Sequence, residues 1–384
     1  MNKNFWPKWP IYDQKDINSV IKVVKSNQIF SATEVKKFEN DFSKYNLSRH
    51  VKCVGNATQG LHLALSALEI GYGDEVIVTN YSWISTASCI LMQNAKPIFV
   101  DIELETLGAD PNAINKAITK KTKAIIVVHM FGHPCKIGEI KKIAKKNKLY
   151  LIEDASHAHG SMIKNKKIGN FSDIAVFSVH QRKNVSAGEG ALVVSKSKSI
   201  DNKIYKLRSF GEKKLSYNYR MTEFCAALGQ NSLKKLDYEN KIRNKNVNFI
   251  IKKIYSEDLQ NFYNIQMPKK NCFSSYHKLP FLYNYQKFKK NISFFITYMN
   301  KIGIPFSHAY KPLNLHSNFN IQKPINSNFP NINLKYNKKK NFKNTYEICF
   351  KRLTELTIHN PVNKTHLNYL IKYLKVYVRK YKKS

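Results

Sequence analysis

A chain of 384 residues with 43% hydrophobic and 12% aromatic residues can bury a sizeable core, which excludes a disordered tail or a low-complexity linker. The net charge of +38 invites a nucleic-acid reading. The cations are scattered, however, at Lys141, Lys142, Lys145 and Lys146 on one predicted helix, at residues 338–340 and at residues 379–383, and the chain is also rich in Asn and Ile, so the charge bears on solubility rather than on a dedicated phosphate-binding face.

In chain order, short apolar runs alternate with helix-like segments through the first two thirds. A helix is predicted over residues 58–68, strands over 75–79, 97–100 and 124–128, a helix over 137–147, and strands over 149–153, 174–178 and 191–195. Apolar residues run consecutively in these strands, as in strands covered on both faces, so the pattern is α/β. After about residue 200 the pattern changes. Residues 218–236 read as a helix rich in Ala and Leu, and a polar helix follows to about Ser256. An Asn-, Pro- and Lys-rich stretch over 314–343 reads as a loop or lid, and a final helix over 364–377 has apolar residues at helical spacing. The expected division is an N-terminal arm and large domain, residues 1–245, and a small C-terminal domain, residues 246–384.

The six cysteines stand singly, with no Cys-x-x-Cys pair and no metal-type His spacing nearby. The first residues lack the apolar core of a signal peptide, and no apolar run reaches the roughly 18 residues of a membrane span. The expectation is a reduced, cytoplasmic, soluble protein with no metal and no membrane partner.

Ligands of open α/β sheets sit beyond the carboxyl ends of the strands. Asp154 follows the apolar run over 149–152, so it projects from such an end, although an Asp there also serves as a turn cap. Lys183 lies five residues after Ser178, on the loop between two apolar strands, ahead of the turn Gly188-Glu189-Gly190. With 64 Lys and Arg in the chain, its placement rather than its type singles it out. The segment Gly55-Asn56-Ala57-Thr58-Gln59-Gly60 opens the first of these helices, where free N–H groups and the helix dipole suit a dianion, and Thr58 and Ser178 add hydroxyls. Thr58 taken alone reads rather as an N-cap. An amine, a strand-end carboxylate, a small hydroxyl and a phosphate cradle are the parts needed to hold pyridoxal phosphate. His129, His159 and His180 titrate near neutrality and are candidates for extra acid–base groups, although such residues more often belong to the core or a loop.

The ordered blocks Asn56-Ala57-Thr58, Asp74-Glu75-Val76-Ile77-Val78 with Trp83, Glu153-Asp154-Ala155-Ser156-His157, Phe177-Ser178 with Lys183, Gly188-Glu189-Gly190 and Asn218-Tyr219-Arg220 together resemble the DegT/StrS-type sugar aminotransferases, which are fold-type-I pyridoxal-phosphate enzymes. The resemblance runs nearly end to end. It implies a large domain with a mostly parallel central sheet and a smaller α+β domain. It also implies pyridoxal 5'-phosphate as cofactor, with pyridoxamine 5'-phosphate as its intermediate form. The implied reaction moves an amino group from glutamate or glutamine to a keto-sugar, nucleotide-linked, or to a cyclic keto-polyol, in amino-sugar or surface-glycan biosynthesis.

Position by position, Lys183 matches the Schiff-base lysine, Asp154 the partner of the pyridine nitrogen, and Ser178 with Ala57 and Thr58 the phosphate ligands. Trp83 matches the ring that stacks on the cofactor, and His157 the position beside the ring hydroxyl. Asn218 and Arg220 match a pair that reaches the cofactor phosphate of a neighbouring subunit, which implies a homodimer with shared active sites. His308 and Tyr310 resemble part of a substrate-side loop. Ala57 departs from the glycine common at its position. A dehydrating branch of the family carries His where Lys183 stands, so the resemblance favours amino transfer over a pyridoxal-phosphate dehydratase or lyase. A basic nucleic-acid-binding protein is the remaining alternative.

Overall fold

The computed structural model describes residues 5–30, 32–210, 216–319 and 341–383. Seven strands, β1 (His50–Val54), β2 (Glu75–Thr79), β3 (Lys96–Val100), β4 (Thr122–Val128), β5 (Tyr150–Asp154), β6 (Ile174–Ser178) and β7 (Ala191–Ser195), form one sheet in the order β1-β7-β6-β5-β4-β2-β3. Only β7 runs against the others. The consecutive apolar residues divide between two cores because successive side chains leave a strand on opposite faces. Val78, Ile126, Val176 and Val193 meet Leu61 and Ala64 of a helix on one side. Ile77, Ile125, Val127 and Leu151 meet Ile137 and Ile140 on the other.

Ahead of the sheet lie α1 (Gln14–Lys25) and α2 (Thr33–Asn46); α3 (Ala57–Ala67), α4 (Ser85–Met92), α5 (Pro111–Ala117) and α6 (Ile137–Lys146) connect its strands. Gly60 lets α3 approach the sheet closely, since a Cβ there would stand 2.8 Å from Cγ1 of Val176. The strands expected over 75–79, 174–178 and 191–195 have those bounds, and the other expected strands differ by one or two residues at an end. β1 escaped the sequence reading: His50-Val51-Lys52-Cys53-Val54 mixes polar with apolar residues, as suits an edge strand whose only partner is β7.

After α7 (Lys198–Arg208), the helix expected over 218–236 and the polar helix after it prove to be one 34-residue helix, α8 (Glu223–Ser256). It starts late because Thr222 caps it, accepting from the N–H of Cys225, while Asn218 and Thr222 make bridges with Ser209 and Phe30. The expected division at 245/246 falls inside α8. One half of this helix supplies Leu233 and Leu236 to the core against β6 and β7, and the other supplies Val247, Ile250 and Ile254 to a second core. That second core lies under a four-stranded antiparallel sheet of β8 (Tyr263–Ile265), β9 (Leu279–Tyr283), β10 (Phe306–His308) and β11 (Leu353–Leu356), in the order β8-β9-β11-β10. α9 (Ile292–Lys301) and α10 (Lys364–Tyr381) pack on it through Phe295, Leu370, Leu374 and Tyr377. Most of the expected loop or lid, residues 320–340, lies outside the described residues; just before it, Phe319 is buried against Phe99.

Candidate active site

β5 and β6 are parallel neighbours, and they end on Asp154 and Ser178. Beyond these ends opens a cavity of about 490 Å³, lined by residues of the large sheet and its loops and by residues flanking strands of the second sheet. Ala57, Thr58, Trp83, Asp154, His157, Ser178, Lys183 and Tyr310 all line it.

At the start of α3 the N-cap is Asn56, whose side chain accepts the N–H of Gln59 at 2.9 Å. Thr58 is therefore not the cap; its hydroxyl donates to Ser85 Oγ at 2.8 Å. The first N–H groups of a helix have no intrahelical partner, so those of Ala57 and Thr58 are left for a ligand. Asp154 is buried, and both carboxylate oxygens are fixed: Thr86 Oγ1 donates to Oδ2 at 2.7 Å and the Ser156 N–H to Oδ1 at 3.2 Å. Ser82 and Thr86 hydroxyls lie 2.7 Å apart, so the donation continues from Ser82.

The loop carrying Lys183 is bound to itself. The N–H of Val179 donates to Gly190 O at 2.9 Å, that of Ala187 to Val179 O at 2.8 Å, and that of Lys183 to His180 O at 2.8 Å. Gly190 takes φ +146° with Val179 and Met221 packed where a Cβ would stand, so only glycine fits. Lys183 is half-buried as a residue, and burial of its ammonium pulls its pKa down to about 8, against the opposing pull of Asp154.

His157 stacks on His277 with ring centroids 4.2 Å apart, and its Nδ1 is buried without a hydrogen-bond partner among the described residues. Burial, with the charges of Lys183 and Lys278 beside it, holds its pKa well below the ordinary histidine value. Trp83 remains 57% exposed, edge-on to Tyr310 at 5.5 Å.

Asn218, Arg220 and His308 are not among the residues that line this cavity. Asn218 is exposed and accepts from Arg220 Nε at 3.0 Å, while the Arg220 guanidinium lies over the rings of Phe30 and Phe210. His308 is exposed on β10. Of the three extra histidines, His180 lines the cavity, 3.7 Å from Glu189. His129 is buried behind β5: the Cys135 N–H donates to its Nδ1, which leaves Nε2 to donate to Glu153 at 3.1 Å. His159 is buried against Phe177, with neither ring nitrogen partnered by another side chain.

Sequence reasoning missed Ser82, Thr86, His277 and Lys278. The hydroxyl-rich run Ser82-Trp83-Ile84-Ser85-Thr86 was a legible signal for the first two. Lys278 carried none among so many lysines, because only pairing within the second sheet brings it to the cavity.

A mostly parallel sheet with an amine, a fixed carboxylate and a helix N-terminus at one cavity beyond its strand ends suits a pyridoxal-phosphate-dependent enzyme, and the comparisons make it an aminotransferase. Residues 10–372 match the DegT/DnrJ/EryC1/StrS aminotransferase family, and the chain belongs to it. It is 38% identical over 337 residues to uncharacterized protein MJ1066 of Methanocaldococcus jannaschii, covering 82% of this chain and 86% of that one. It is 36% identical over 255 residues to GDP-perosamine synthase of Escherichia coli O157:H7, covering 63% of this chain and 67% of that one. The crystal structure of an aminotransferase from Psychrobacter cryohalolentis superposes with a TM-score of 0.88 at 24% identity, over 98% of this chain and 99% of that one, a likeness of fold.

Proposed function

We propose that this aminotransferase moves an amino group from glutamate or glutamine to a nucleotide-linked keto-sugar, with Lys183 as covalent anchor and proton carrier. The observation that carries this reading is the convergence of Lys183, Asp154 and the Ala57-Thr58 and Ser178 donors on one cavity. The chain's similarity to a GDP-perosamine synthase supports a sugar acceptor.

The residues fit the cofactor. An unpartnered buried His157 Nδ1 and two uncapped N–H groups at the start of α3 suit a ligand with a phenolic oxygen and a phosphate. Bound pyridoxal phosphate supplies an electron sink for charge left on the carbon beside the transferred nitrogen. Asp154, held by Thr86 and Ser156, would present a fixed negative charge to the ring nitrogen. Thr58, Ser178 and the N–H groups of Ala57 and Thr58 would hold the phosphate, and the exposed Trp83 would lie over the ring. Lys183, whose pKa burial draws down to about 8, is neutral in part at physiological pH, so its Nζ would move a proton from the donor carbon to the cofactor carbon that bears the nitrogen, and the reverse shift would deliver one to the acceptor carbon.

Asn218 and Arg220 belong to a second copy's site on this reading, and their place outside this chain's cavity supports a homodimer. Six free cysteines, four of them buried, favour the cytoplasm, and among the described residues no helix is long and apolar enough to cross a membrane. The test is spectroscopic. Purified protein loaded with pyridoxal phosphate should lose its visible band on addition of glutamate or glutamine and recover it on addition of a keto-sugar nucleotide. Recovery only with cyclic keto-polyols would move the acceptor class. No response to any amino donor, with tight duplex DNA binding at physiological salt, would overturn the reading.

A further inference from the structure

The cavity carries a cation to which amino transfer, as derived above, gives no task. Lys278 stands at the entry to β9, and its Nζ is ion-paired with Oε1 of Glu355 on β11. The same oxygen accepts from Ser307 Oγ at 3.0 Å. Glu355 is only 2% exposed, and its Oε2 has no hydrogen-bond partner among the described residues. A carboxylate so deeply buried anchors the ammonium, yet it uses one of three N–H donors. Lys278 is half-buried and lines the cavity. Its charge is felt there: after burial, it adds to the downward pull on both Lys183 and His157.

We propose that Lys278 binds the carboxylate of the amino donor, and so selects an amino acid over a simple amine. This rests on the amino-transfer reading of the same site. The donor carbon that gives up its proton to Lys183 also bears a carboxylate, and a cation within the same cavity is placed to meet it. Among the described residues of this chain, three cations line the cavity, Lys183, Arg182 and Lys278. Lys183 has to shed its charge to act, and Arg182 is exposed. Of these three, Lys278 is the one both shielded and held by a fixed counter-ion, which favours a short, strong bond to a carboxylate.

Four loaded proteins test this: wild type, Lys278→Met, Lys278→Arg, and Lys278→Met with Glu355→Gln, the last removing the buried acid that Lys278→Met would strand. Binding of glutarate, which has no amino group to transfer, is read by calorimetry, and the donor half-reaction is followed over a range of glutamate concentrations. The expected result is a dissociation constant about tenfold or more higher for both ligands in the Met variant and the double variant, with the saturating rate falling less than the affinity and pyridoxal-phosphate affinity nearly unchanged. Lys278→Arg should recover most of the loss. Unchanged glutamate and glutarate binding in a folded double variant overturns the proposal, as does a loss of cofactor affinity instead. A variant that keeps glutamate but loses UDP-glucuronate places the carboxylate on the acceptor and overturns the donor assignment. Wild type that fails to respond to glutamate overturns the amino-transfer reading itself, a result distinct from all of these.

Discussion

Two acids side by side at the end of β5 are put to opposite uses. Glu153 leaves the strand on one face and is fully buried, where it accepts from His129 at 3.1 Å, the N–H groups of Gly169, Phe171 and Ser172 at 2.9, 3.0 and 3.0 Å, and Ser172 Oγ at 2.7 Å. Burial alone would raise its pKa, but these bonds, led by that of His129, bring it below the ordinary carboxylate value. Asp154 leaves on the other face, toward the cavity, with a single side-chain donor, Thr86. A saturated carboxylate has no capacity left for a ligand, and it braces the loop over residues 169–172 against the strand. A carboxylate with capacity to spare is available to chemistry. Strand alternation, acting on a Glu-Asp pair, separates scaffold from site by one residue.

This contrast predicts which substitutions strike activity and which strike the fold. Lys183→Ala should show the largest effect, a loss of amino transfer of about 10²–10⁴-fold or more with the thermal midpoint little changed; a variant with substantial turnover would break the site side of the comparison. Glu153→Gln should do the reverse, lowering unfolding free energy by about 3 kcal/mol in a denaturant titration, because a neutral amide cannot accept five donors. Asp154→Asn should keep that stability but weaken pyridoxal-phosphate binding by about 1.5–3 kcal/mol, roughly 10- to 100-fold by fluorescence titration. If it unfolds the chain as Glu153→Gln does, the two acids are not separated as described.

The smallest expected effect is one of pH. The reactive form of Lys183 is the neutral amine, which is scarce below the pKa of about 8 and dominant above it. The rate at which cofactor-free protein captures pyridoxal phosphate should therefore rise roughly tenfold per pH unit up to about 8 and then level. A continued rise toward the ordinary lysine value of 10.5 would show an amine that burial does not perturb.

The sheet was largely legible because its interior strands are unbroken apolar runs, Ala124-Ile125-Ile126-Val127-Val128 being the plainest. β1 was not, since an edge strand with one partner tolerates His50 and Lys52. The site divides in the same way. Asp154, Ser178 and Lys183 were readable because each lies at or just after a strand end that the sequence itself marks. Lys278 and Glu355 were not, because 77 residues separate them and nothing short of the register of β9 on β11 brings them together. The helix break expected after residue 236 is absent for a similar reason: a helix that serves two cores changes its polarity without ending.

The central claim is that one lysine among many is the amine that captures the cofactor. Borohydride reduction of the pyridoxal-phosphate-loaded protein, followed by digestion and mass spectrometry, reads this directly. The account predicts the cofactor's added mass on the peptide containing Lys183 and on no other; the mass on Lys278, or spread over surface lysines, would contradict it.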